Sequence, residues 1–173
     1  MNDTVFDAVI KSYLQILPAI DHCLDKGRDH FKAEARPLES IVTTRLYEDM
    51  APFHFQIVCM MHQCVGAVSG LRSGAFSPPS QEIIFDYDGL QTLLKEGIKS
   101  IEAVSVDEFT SLCEGEIIFT TKSFTLKFSS IDFLLSFSLP NFYFHATTTY
   151  DILRMQGVPL GKLDFLGKMR YRE

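Results

Sequence analysis

The sequence predicts an all-α fold, a four-helix bundle with a small β-hairpin inserted before the last long helix. Four long segments repeat apolar residues at spacings of three and four, as one face of a helix does. One short pair of segments alternates instead, as strands do. A chain of 173 residues suits one domain, so residues 1–173 are expected to form a single unit.

The first helix is predicted near the start of the chain, where Asn2, Asp3 and Thr4 are candidate N-caps. Its apolar residues recur at helical spacing: Val5, Val9, Tyr13, Leu17, Ile20 and Leu24. Glycine commonly follows the last turn of a helix, so Gly27 is the predicted end. Pro18 is expected to bend the helix, because proline lacks the backbone N–H that an inner turn needs.

The second long helix follows a mixed polar connection, residues 29–47, in which a brief helix is predicted after Pro37. Asp49 is the predicted N-cap, and Pro52 is tolerated in the first turn. The predicted core face comprises Phe53, Ile57, Met60 or Met61, Cys64 and Val68. Two glycines and two prolines then predict a loop: Gly70, Gly74, Pro78 and Pro79.

The third helix is predicted to begin at Asp86 or Asp88, and a short helix with a capping-box pattern at Ser105 and Glu108 follows it. The segments EIIFTT and SFTLKF alternate around a tight turn at Lys122–Ser123, which predicts a hairpin. A lone hairpin is marginally stable in water, so this one is expected to pack on the helices.

The last helix is predicted from about Ser129 to Gly157, with a kink or bulge at Pro140. Four polar residues in it, Ser138, Asn141, His145 and Thr148, are spaced by three or four and therefore share one face. The rest of the helix is largely apolar or aromatic, which is typical of a buried helix. A buried polar stripe must be hydrogen-bonded, and we expect it to line the functional site.

Composition excludes several classes of function. A formal net charge of −6 argues against nucleic acid as a partner, because phosphate binding requires a basic face. The longest apolar run, residues 131–146, is interrupted by polar residues and predicts no membrane span. The N-terminus lacks the features of a signal peptide, and the four cysteines form no CxxC pair. A cytoplasmic protein with reduced cysteines is expected.

Three segments carry a resemblance to a known family: DMAPFHFQ, LPNFYFHATTTYDILR and GVPLGKLDFLG. Together they resemble one uncharacterised bacterial family within the DinB/YfiT-like superfamily, whose members are small bundles that include many presumed metalloenzymes. The similarity spans nearly the whole chain. It implies a helical bundle, often homodimeric, without an established activity.

The resemblance also implies where a metal would bind. Metal-binding members hold a nickel- or zinc-type ion with one histidine on the second helix and two on the fourth. The Leu-Arg-x-x-Gly ending aligns His145 with the second histidine of the fourth helix and Asn141 with the first. Gln56 falls at the position of the histidine on the second helix. Neutral amides are poor ligands for zinc or nickel, so no metal or other cofactor is predicted. His54 and His62 point to other faces of the helix than Gln56 and are expected to be half-exposed or interfacial.

Three hypotheses about function remain open. The first is a small-ligand binding or interaction module with a degenerate metal site, in which Gln56, Asn141, His145 and Thr148 are the ligand-binding residues. The second is a metal-dependent or thiol-dependent transferase or isomerase in which His145 is an acid, a base or a ligand. In the third, the polar stripe only sets the register of the helices. The predicted partners are a small molecule and a second copy of the chain.

A cysteine nucleophile is not predicted. Cys59 and Cys64 lie close to His62 in the sequence, but proximity along a helix does not supply the base that a thiol nucleophile needs. The sequence leaves open whether the protein catalyses a reaction.

Overall fold

The computed structural model describes residues 2–80 and 84–171, and it is mostly helical with a small three-stranded sheet. The helices are α1 (Asn2–Ala33), α2 (Phe53–Met61, continuing as a π-helix His62–Gly66 and an α-helix Ala67–Ser73), α3 (Tyr87–Glu102), α4 (Val106–Leu112), α5 (Ser130–Asp132, a π-helix Phe133–Ser138, and Leu139–Met155) and α6 (Lys162–Leu166). The strands are β1 (Ala75–Phe76), β2 (Glu116–Thr120) and β3 (Thr125–Ser129). A short 3-10 helix, Leu38–Ile41, follows Pro37 as expected.

The predicted end of α1 at Gly27 is wrong, because the helix continues to Ala33. The glycine serves packing instead. A Cβ atom at this position would lie 2.8 Å from the hydroxyl of Tyr87 and 2.9 Å from Cδ2 of Leu153. The Tyr87 hydroxyl approaches α1 this closely because it donates a hydrogen bond to the carbonyl of Leu24, at 2.8 Å. The side chains of Asn2 and Asp3, two of the candidate N-caps, lie outside the described part of the chain.

Replacing Gly27 by alanine is expected to lower the free energy of unfolding by about 1 kcal/mol. Alanine favours a helix over glycine by about 1 kcal/mol, but the added methyl group must displace two buried side chains, at a cost of about 1–3 kcal/mol. Urea denaturation measures the difference. Gly115→Ala is the control, because a Cβ there meets its nearest neighbours at 3.4 and 3.5 Å. A more stable Gly27→Ala variant would contradict this packing.

The start of α2 also differs from the prediction, since Pro52 and not Asp49 is the N-cap. Pro52 is extended (φ −70°, ψ 163°) and its side chain offers no cap. The first free N–H groups of the helix bond to the preceding segment instead: Phe53 donates to the carbonyl of Thr44 at 2.8 Å, and His54 to that of Val42 at 3.1 Å. Backbone carbonyls thus replace the carboxylate that the sequence offered.

The predicted hairpin is confirmed, and the sheet has one strand more than predicted. β2 and β3 pair antiparallel, and a hydrogen bond from the Thr121 N–H to the Phe124 carbonyl closes the turn at 2.9 Å. β1 lies parallel to β2, with Phe76 opposite Phe119. The sequence predicted a loop here, because a strand of two residues is too short to show alternation.

The ends of the remaining long helices follow their local signals. Asp86, Ser105 and Ser129 are the N-caps of α3, α4 and α5, and each side chain accepts a hydrogen bond from the backbone N–H three residues later. Gly157, with φ +90°, follows the end of α5 in a conformation that favours glycine. The starts of α3, α4 and α5 and the end of α5 are as the sequence predicted.

Both α2 and α5 contain a π-helical segment. The one in α5, Phe133–Ser138, ends two residues before Pro140 and is the predicted bulge. Pro140 has no N–H to donate to the carbonyl of Ser136, and its ring crowds that carbonyl, so the wider turn relieves both problems. The π-helix His62–Gly66 in α2 contains no proline and was not predicted.

The helices and the sheet share one apolar core. α5 packs against α2 and α1, and α3 packs against α1 and α2. The largest fully buried side chains are aromatic: Tyr13, Phe31, Phe53, Tyr87, Phe109, Phe133 and Phe142. Within residues 2–80 and 84–171, no helix combines the length and the apolar character needed to cross a membrane.

Candidate functional site

Two polar contacts join α2 to α5 inside the core. His145 meets Gln56, and Ser138 donates a hydrogen bond to the backbone carbonyl of Gln63. Each pair of positions is seven residues apart on its own helix, and the order is reversed between them, so α2 and α5 run antiparallel. Tyr13 of α1 adds a third group, since its hydroxyl lies 3.0 Å from both the Gln63 carbonyl and the Ser138 hydroxyl.

The polar stripe predicted on α5 therefore divides into two sets. Ser138 and His145 reach across to α2. Asn141 and Thr148 instead donate to the carbonyl four residues earlier on α5, at 2.6 and 2.8 Å. The expected contact of Gln56 with His145 is present. Among the described residues no hydrogen bond links Asn141 to either of them, so that part of the expected cluster is wrong.

The contact of His145 belongs to a chain of three groups. The Gln56 amide donates from Nε2 to the carbonyl of Ala51 at 2.8 Å, which fixes the orientation of the amide. Its Oε1 is then the acceptor that faces Nδ1 of His145, at 2.7 Å. Nδ1 must carry the proton in this bond, so Nε2 of the neutral ring holds a lone pair.

The charge state of His145 follows from its surroundings. Burial disfavours the imidazolium ion and lowers the pKa of His145 from 6.5 to about 4. The ring is therefore neutral near pH 7. Nε2 accepts hydrogen bonds in this state, and it forms none with the described residues.

The arrangement does not fit the metal centre that the resemblance implies. A tightly held zinc or nickel ion needs three or more imidazole, thiolate or carboxylate ligands. Of the three aligned positions only His145 offers one, and Gln56 uses its amide oxygen for that imidazole. In the described ranges no group of three or more His, Cys, Asp or Glu side chains could hold a metal ion.

His54 and His62 do not complete a centre with His145. His54 is buried, with 7% of its surface exposed, whereas a half-exposed or interfacial residue was expected. Its Nδ1 has no partner in the described structure. Burial, assisted by the charge of Arg45, lowers the pKa of His54. His62 is half-buried, donates from Nε2 to the carbonyl of Ser77 at 2.7 Å, and stacks on Phe76.

All four cysteines are free and buried: Cys23, Cys59, Cys64 and Cys113. Burial raises the pKa of the Cys59 and Cys64 thiols to about 12. Thiols in this state are not nucleophiles near neutral pH, because the reactive form is the thiolate.

Sequence reasoning did not predict the polar contacts that Gln63 and Tyr13 make in this region. One signal was present: Gln63 follows Gln56 by seven residues, and Ser138 precedes His145 by seven. Two turns of a helix span about seven residues, so both pairs repeat on one face. The acceptor that joins them, however, is a backbone carbonyl, which no residue type reveals.

Comparison with known proteins gives a fold and a family. The chain is similar to the crystal structure of a DinB family member protein from Shewanella denitrificans, with a TM-score of 0.83 and 20% identity over 99% of this chain and 97% of that one. At this identity the similarity shows the fold. The curated proteins contain no match. The sequence model of a domain of unknown function, DUF1993, matches residues 5–166. The chain therefore belongs to the DUF1993 family, a family of unknown function.

Proposed function

We propose that this protein is a DinB-like four-helix bundle that acts as a metal-independent binding or interaction module for a small ligand. The observation that carries the proposal is the chain from the Ala51 carbonyl through Gln56 to His145. An amide in this place cannot replace an imidazole as a zinc or nickel ligand, but it orients the remaining imidazole. His145 then offers a neutral acceptor, Nε2.

The other two predicted site residues have the same chemical character. One N–H of Asn141 and the hydroxyl hydrogen of Thr148 are donated to carbonyls of α5. The Asn141 amide oxygen and the lone pairs of the Thr148 hydroxyl remain as acceptors, and the second N–H of Asn141 remains a donor. In the proposal Gln56 positions His145, and the ligand is held by His145, Asn141 and Thr148. Acceptors outnumber donors in this set, which favours a ligand that carries N–H or O–H donors.

The proposal includes a homodimer in the cytoplasm. Exposed apolar side chains along α5, Leu135, Phe144 and Met155, support a second copy as the partner, since burying them would be favourable. The four free cysteines, all buried, support a reducing compartment.

The metal content of the untagged protein tests the proposal. After purification in buffers that contain zinc and nickel, elemental analysis is expected to find less than about 0.1 metal ion per chain, because one imidazole holds neither ion tightly. The double variant Gln56→His with Asn141→His is the positive control, since it restores three imidazoles at the aligned positions. Near-stoichiometric zinc or nickel in the unmodified protein would overturn the proposal.

A further inference from the structure

A second candidate site lies on the other side of α2. A cleft of about 360 Å³ opens between α2 and α3, which we call the α2–α3 cleft. Its walls are largely apolar and include Val58, Val65, Phe85 and Leu93. Pockets for small molecules have this size and an apolar lining with a few placed polar groups. Neither Gln56 nor His145 lines it, so it is separate from the site on α5.

His62 supplies the first polar group of the α2–α3 cleft. Its Nε2 faces the carbonyl of Ser77 at 2.7 Å, and a carbonyl can only accept, so Nε2 carries the proton. Burial lowers the pKa of His62, which keeps the ring neutral. Nδ1 therefore holds a lone pair. It lies against the backbone of Gly66, another lining residue, where an added Cβ would come within 2.7 Å of it.

Glu96 supplies the second polar group. Its side chain is exposed on α3, lines the cleft, and forms no ion pair with any described residue. No lysine or arginine stands among the lining residues that the structure describes. The cleft therefore combines a neutral acceptor and a carboxylate with apolar walls, and no cation balances them.

We propose that the α2–α3 cleft binds a small apolar molecule that carries an ammonium group. The apolar part packs between α2 and α3. The ammonium donates hydrogen bonds to Nδ1 of His62 and to the Glu96 carboxylate, which also supplies the opposite charge. An anionic ligand of the same size is disfavoured, because its oxygen acceptors would face Nδ1 of His62 and the Glu96 carboxylate, which are acceptors too. This inference is independent of the function proposed for His145.

Met61 provides a direct measure of binding. Its methyl group packs into the space that a side chain at Gly97 would occupy, and both residues line the cleft. The chain has six methionines, so the methyl spectrum of protein labelled with ¹³C-methyl methionine is simple, and Met61→Leu assigns the signal. The probes are benzylamine, benzyl alcohol and benzoate near neutral pH, where benzylamine is a cation and benzoate an anion.

Benzylamine is expected to shift the Met61 signal in a saturable manner, with a Kd of about 1–10 mM, as suits a molecule of this size. Benzyl alcohol is expected to bind more weakly, and benzoate at least about tenfold more weakly than benzylamine. No saturable shift with benzylamine, or equal binding of benzoate, would overturn the proposal.

Two variants locate the contacts. Glu96→Gln is expected to weaken benzylamine about threefold, as loss of an exposed ion pair does, and to leave benzyl alcohol unchanged. Glu102→Gln is the matched control, with the same charge change on the same helix outside the cleft. Gly66→Ala sets a methyl group against Nδ1 of His62 and is expected to weaken benzylamine at least about tenfold while circular dichroism stays unchanged. Equal affinities in Glu96→Gln and Glu102→Gln, or unchanged binding in Gly66→Ala, would contradict the assigned contacts.

Discussion

Replacing Phe133 by alanine is expected to lower the free energy of unfolding by about 3–5 kcal/mol, the cost of truncating a fully buried phenylalanine. Phe133 has no exposed surface, and its ring centroid lies 5.0 Å from that of Phe76, 5.5 Å from that of Phe137 and 6.0 Å from that of Phe128. These neighbours belong to β1, α5 and β3. The ring thus joins the sheet to α5, and its loss leaves a cavity where they meet.

Phe144→Ala is the matched control for this prediction. Phe144 lies on the same helix, but 54% of its surface is exposed, so its truncation is expected to cost less than about 1 kcal/mol. Urea denaturation at pH 7, followed by far-ultraviolet circular dichroism, measures both variants against the unmodified protein. Equal losses in the two variants would show that the phenylalanines around Phe133 do not hold the sheet on the helices.

The parts of the fold that could be predicted depend on local chemistry. Asp86, Ser105 and Ser129 cap their helices because a short polar side chain reaches the N–H three residues later, and this spacing is visible in the sequence. Pro140 gives a bulge because the missing N–H affects the same helix. In each case the partner is only a few residues away.

The parts that could not be predicted depend on distant neighbours. Glycine is typical of a helix end, but the role of Gly27 is set by its contact with Tyr87, sixty residues later along the chain. β1 exists because Ala75 and Phe76 meet β2, about forty residues further on. Tertiary packing overrides local propensity at both places.

The candidate site shows the same division. The family resemblance placed Gln56 and His145 at ligand positions of one site, and the structure brings the two side chains into contact. Asn141 shares the face of His145 but not its partner, since its amide is satisfied by a carbonyl of its own helix. Short polar side chains have this local alternative, and residue spacing does not show which bond they choose.

The stability of the protein is expected to depend on pH through His145. Burial lowers the pKa of this residue in the folded state from 6.5 to about 4, so between these values the unfolded chain binds a proton that the folded protein does not. Acid therefore favours unfolding. The contribution of His145 is fully present above about pH 6.5 and is lost as the pH falls towards 4.

His145→Gln removes the titrating group and keeps an N–H donor for the amide of Gln56. Each pKa unit corresponds to about 1.4 kcal/mol, and partial exposure of the ring reduces the effect, so the unmodified protein is expected to lose about 2 kcal/mol more than the variant between pH 7 and pH 4.5. Urea denaturation at both pH values measures this difference. Because His54 and His62 are present in both proteins, their own titration cancels. Equal pH dependence in His145→Gln and the unmodified protein would contradict the burial that lowers the pKa of His145.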